Sequence, residues 1–139
     1  MRILGFGTMW SKLNNDLLFT TFRFPRKDKD WQVEEMVQVV FKPRSKLRKP
    51  LGIARIIRKD VKDLSKTEYY YYRGRSTSEM VTPEEAAADG FTNMWGNGDI
   101  EKMLKYFMDS YGVARIRNEP MNKLTLYWIS NVDNVLTTP

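Results

Sequence analysis

Thr21 and Arg23 are the side chains of this 139-residue chain best spaced to do chemistry together. They lie in Leu18-Phe19-Thr20-Thr21-Phe22-Arg23-Phe24, where polar and apolar residues alternate from Thr21 onward. As a strand, the stretch puts Phe22 and Phe24 on one face and Thr21 and Arg23 on the other. A hydroxyl and a guanidinium on one face can meet a phosphate, a carboxylate or a base edge. The plainer reading is a half-exposed strand whose arginine is only solvated.

Two absences narrow the chemistry. With no Cys there is no thiol nucleophile, disulfide framework or zinc ribbon. With no His, the commonest general base and most transition-metal sites are gone. Catalysis would have to run on Asp, Glu, Lys, Tyr, Thr or Ser. No clustered acidic motif announces a Mg²⁺ site, so neither a metal nor another cofactor is expected.

The net charge of +6 is unevenly placed along the chain. Residues 41–75 hold twelve Lys or Arg against three Asp or Glu, whereas residues 76–111 hold two against seven. Such a division can present a basic face, the usual electrostatic footprint of nucleic-acid binding, or it can be a solvated loop. The basic stretch lacks the periodic apolar face of an interfacial helix, and no apolar run approaches the roughly 20 residues of a membrane span. The opening Met1-Arg2-Ile3-Leu4-Gly5-Phe6-Gly7 is too soon interrupted for a signal peptide, so no membrane partner and a cytoplasmic setting are expected.

At this length a single domain can bury a sizeable core without a metal or disulfides. Ile3–Phe6 reads as a first strand, and Met9, Trp10, Leu13 and Leu17 are spaced for a short helix or turn. The strand at 18–24 follows, then a charged connection from Pro25 to Asp30 and a β-branched strand at 36–41. Pro43–Pro50 is a Pro-bracketed basic loop. The chain returns as a strand over 51–58, with Ile53, Arg55 and Ile57 on one face. Residues 66–80 look like an insertion, in which Tyr69-Tyr70-Tyr71-Tyr72-Arg73 has strand propensity without a binary pattern. Thr82-Pro83-Glu84-Glu85 is a helix start, with a capping Thr, Pro at the first helical position and Glu85 closing a capping box. That helix stops at Gly90. Ile100, Met103, Leu104, Phe107 and Tyr111 mark a second, amphipathic helix ending at Gly112, and 124–129 closes as a strand before a tail over 131–139.

The order of these pieces resembles the ASCH family of the PUA-like superfamily of small RNA-associated β-barrels. The resemblance rests on Thr21-Phe22-Arg23, Gly52-Ile53-Ala54-Arg55-Ile56, Thr82 to Phe91, the helix at 99–111 and Leu124 to Ile129. It covers most of residues 1–130. It implies an α+β fold, a small mixed β-barrel with flanking short helices and a cleft between barrel and helices. Some family members are similar to amidohydrolases acting on a modified cytidine, with a site of Lys, Thr and a carboxylate. Thr21 and Asp89 match the last two, but the Lys position is Leu18, which removes the amine that would activate the hydroxyl. The reading therefore leans away from an enzyme, with Thr21 and Asp89 the catalytic candidates if it is one.

The expected function is an RNA- or nucleotide-binding module. Arg23, Arg44, Lys46, Arg48, Lys49 and Arg55 would track the phosphates of RNA, in single-stranded form. Thr21, Asp89, Trp95 and Tyr70 would line a cleft for a splayed-out base. The alternatives are a hydrolase acting on a modified nucleoside or RNA, as amidohydrolase or ribonuclease, and a protein-interaction module that meets its partner through the Tyr tract.

Overall fold

The structure, a computed structural model, describes residues 1–10, 12–15, 17–64 and 80–131. Tyr70, the Tyr69–Tyr72 tract, all of the expected insertion but Met80, and the tail from 132 lie outside the described residues. In chain order the elements are β1 (Arg2–Phe6), α1 (Lys12–Asn15), β2 (Leu18–Arg23), β3 (Met36–Phe41), β4 (Lys49–Lys62), α2 (Pro83–Ala88), α3 (Ile100–Tyr111), α4 (Val113–Asn118) and β5 (Met121–Asn131). The class is α+β. One five-stranded sheet has the order β1-β3-β4-β5-β2, with β1 parallel to β3 and β3 antiparallel to β4.

The long strands outrun what local pattern shows. β4 takes in Lys49 and Pro50, which the sequence pattern assigns to the basic loop. A register shift at Val39/Val40 sets Val39 opposite Gly52 and Val40 opposite Pro50. A bulge of this kind is where a strand tolerates proline. β5 begins at Met121, three residues before the expected start. No sequence signal announces α4. Gly112, at φ 93° and ψ 147°, ends α3 in an extended positive-φ conformation that favours glycine, and a six-residue helix with Ile116 buried resumes beyond it.

The chain forms two compact units, with β2, β4 and β5 each contributing to both. The first comprises Met1–Phe19, Trp31–Lys59 and Thr125–Pro139. Its core is the apolar face shared by Leu4 and Phe6 of β1, Val37 and Val39 of β3, Ala54 and Ile56 of β4, and Leu126 and Trp128 of β5. Phe19 packs on Trp128 with ring centroids 4.9 Å apart and on Phe6 at 6.2 Å. Arg2 grips Glu35 with two hydrogen bonds of 2.6 Å and lies over the Trp31 ring at 4.5 Å.

The second unit comprises Thr20–Asp30 and Asp60–Leu124. α3 buries Met103 and Phe107, and Phe107 gathers Phe22 at 6.2 Å, Phe91 at 6.0 Å and Tyr106 at 5.4 Å. Phe24 meets Tyr111 edge-on at 5.1 Å, with the Arg115 guanidinium 3.9 Å from its ring. The loop after β2 is fastened by Asn122, whose Nδ2 donates to both Asp30 oxygens at 2.9 and 3.0 Å. Among the described residues no helix is long and apolar enough to cross a membrane.

Candidate ligand site

Strand alternation in β2 carries Thr21 and Arg23 to one face, and Arg23 Nε donates to Thr21 Oγ1 at 3.0 Å. Thr21 is only 4% exposed, so the acceptor end of this bond is shielded from water. Thr20, the other hydroxyl of the doublet, donates to Asp89 Oδ1 at 3.4 Å across 69 residues of sequence.

Asp89 is delivered by local chemistry. Thr82 Oγ1 accepts from Glu85 N at 3.2 Å, and Glu85 Oε1 accepts from Thr82 N at 3.1 Å, the capping box read from the sequence. At the other end Phe91 N donates to Ala86 O at 2.8 Å and Gly90 N to Ala87 O at 3.0 Å. This is the Schellman pattern, with Gly90 at φ 106° supplying the left-handed residue. Asp89 is thereby held at the helix end with 4% of its surface exposed.

Arg23 is half-buried, and burial pushes the pKa of its guanidinium down. Tyr111, Asp89 and Tyr106, in that order, pull it back up through their negative potential. Alternation sets Thr20, with the Asp89 it bonds, on the other face of β2 from the Thr21–Arg23 pair, so the second unit carries two polar pairs, and Asp89 acts on Arg23 through its charge. Sequence reasoning misses Thr20, Tyr106 and Tyr111 as site residues. Tyr111 falls on the apolar stripe of α3 and so reads as core, and the Thr20-Thr21 doublet is the available signal for Thr20.

The arrangement suits binding better than activating a nucleophile. A guanidinium donates and cannot take the Thr21 proton, so Arg23 cannot replace a lysine as general base. Position 18 is Leu and stands 48% exposed. Among the described residues no group of three or more His, Cys, Asp or Glu is placed to hold a metal ion.

A second charged cluster lies in the same unit. Glu85 accepts from Lys123 Nζ at 2.8 Å and Lys62 Nζ at 3.1 Å, and Lys62 also donates to Met80 O at 3.2 Å. Burial works to raise the Glu85 pKa, but the bonds from Lys123, Lys62 and Thr82 N outweigh it and hold the carboxyl below its ordinary 4.5.

The remaining basic candidates belong to the first unit. Arg44, Lys46 and Arg48 are exposed on a loop stiffened by consecutive turns, and Lys49, also exposed, opens β4. Lys42 O accepts from Ser45 N, Ser45 O from Arg48 N, and Ser45 Oγ from Leu47 N at 2.9 Å. Arg55 lies on β4 with its Nε buried and without an acceptor. The Nε1 of Trp128 is in the same state.

Trp95 is not drawn into the group around Arg23. It stands 77% exposed beside Met94 at the tip of a tight loop, where Asn93 Oδ1 accepts from both Trp95 N and Asn97 N at 3.0 Å. Compared with known proteins, no family model matches this chain, and neither a curated protein nor a solved structure does.

Proposed function

We propose that this chain is an RNA- or nucleotide-binding module of the ASCH/PUA-like kind, with the barrel that this implies. The observation that carries the reading is the division of charge. The first unit holds ten Lys or Arg against four Asp or Glu, and the second holds thirteen of each. The whole excess of +6 therefore belongs to the first unit. Its ordered loop bearing Arg44, Lys46 and Arg48, with Lys49 at the start of β4, suits a phosphodiester backbone. In the second unit Arg23 keeps part of its surface open while buried Thr21 holds its Nε, which leaves guanidinium donors for a phosphate or a base acceptor. A hydrolase lacks comparable support, since the lysine position is Leu18.

Fluorescence anisotropy with a labelled single-stranded oligouridylate, repeated across a salt series, tests the proposal. Affinity should fall steeply as salt rises. Replacing Arg44, Lys46 and Arg48 together by Gln should flatten that dependence by about 0.7 in log–log slope for each phosphate no longer neutralised. Binding indifferent to salt, or absent in dilute buffer, would remove it.

A further inference from the structure

β4 turns two unlike faces to its surroundings in the first unit. Ala54 and Ile56 are wholly buried, whereas Ile53, Arg55 and Ile57 alternate onto the opposite face. Register extends that face across the sheet, because Met36 is the direct cross-strand partner of Arg55, Gln38 that of Ile53, and Ile3 that of Gln38. Arg55 thus sits in a frame of Met36, Ile53 and Ile57. Its Nε is shielded from solvent and has no hydrogen-bond acceptor. A buried, unsatisfied donor lowers the stability of the fold, and a methionine would fill the same frame without that cost. A desolvated guanidinium is, however, well suited to a phosphate.

We infer that this second sheet face binds single-stranded RNA, with Arg55 taking a phosphate. The inference rests on the RNA-binding reading above and assigns it a surface. Three observations favour this occupant. The excess positive charge lies in this unit. The basic loop joins β3 and β4, the two strands that carry Met36 and Arg55. Tyr127, partly exposed on the neighbouring β5, alternates away from buried Leu126 and Trp128 and so shares the face of Arg55, where its ring can stack on a base. The apolar frame desolvates the cation, the phosphate supplies the missing acceptor, and the ring holds an adjacent base.

The test uses the full chain, a labelled oligouridylate, and the variants Arg55→Met and Arg55→Lys, each measured for thermal midpoint and for affinity across a salt series. Arg55→Met should keep or raise the thermal midpoint while weakening binding and reducing the log–log salt slope by about 0.7, the contribution of one phosphate on a single strand. Arg55→Lys should restore most of that slope. Wild-type affinity and slope in Arg55→Met, with oligouridylate binding by the wild type intact, overturn this inference alone. Failure of the wild type to bind at low salt overturns the wider reading and this one with it. A polyglutamate peptide that binds the wild type but not Arg55→Met, where oligouridylate binds neither, makes the occupant an acidic protein segment and overturns the RNA assignment.

Discussion

Arg23 Nε donates to the Thr21 hydroxyl at 3.0 Å, so the strand's own two-residue spacing supplies an acceptor for its arginine. Thr21 is buried, while Arg23 keeps part of its surface open.

Thr21→Val keeps the shape of the side chain and deletes the acceptor. It should cost about 1.5–3 kcal/mol in urea unfolding, the range for a missing bond to a charged donor. Combined with Arg23→Met, the two single effects should sum to more than the double variant shows, with a coupling of roughly 0.5–3 kcal/mol. Strict additivity would mean that the bond contributes nothing.

Glu85 makes stability depend on acid. Its folded-state pKa lies below the unfolded value near 4.5, so the stabilisation is present above that pH and is lost as pH falls through the folded value. Urea midpoints should therefore decline below about pH 4.5, and Glu85→Gln should flatten that decline. At neutral pH Glu85→Ala leaves Lys62 and Lys123 facing each other without their shared carboxylate, and should lose about 3 kcal/mol or more. A variant with the wild-type pH profile would discount the cluster.

Gly98 is required by close approach. It pairs with Thr92, and a Cβ there would come within 1.6 Å of the Pro83 carbonyl oxygen, a backbone atom that cannot swing aside. Gly98→Ala must displace either the loop at 92–98 or the start of α2, and should lose about 1–3 kcal/mol or more in thermal unfolding. A wild-type melting curve would contradict the packing described.

Asn122 is 2% exposed and donates to both oxygens of Asp30, which also accepts from Arg26 N at 3.2 Å. Asn122→Ala should destabilise by about 1–3 kcal/mol by leaving that carboxylate short of a donor, and should raise amide exchange over residues 26–30. Unchanged exchange there would show that the loop is held by other means.

What the sequence determined by itself was whatever depends on neighbours a few residues apart. The run from Thr82 to Phe91 names its own cap, first-turn proline and left-handed exit, because a capping bond or a Schellman turn closes within six residues. The Thr21–Arg23 pairing was legible for the same reason, since a strand repeats every two residues. The tertiary structure alone decided that Thr20 meets Asp89, that Arg23 lies within the field of Asp89, and that Lys62 and Lys123 share Glu85. It alone left Arg55 Nε without an acceptor on the far face of β4. These meetings are fixed by strand register and chain return over tens of residues, and no local period encodes which distant side chain will be waiting there.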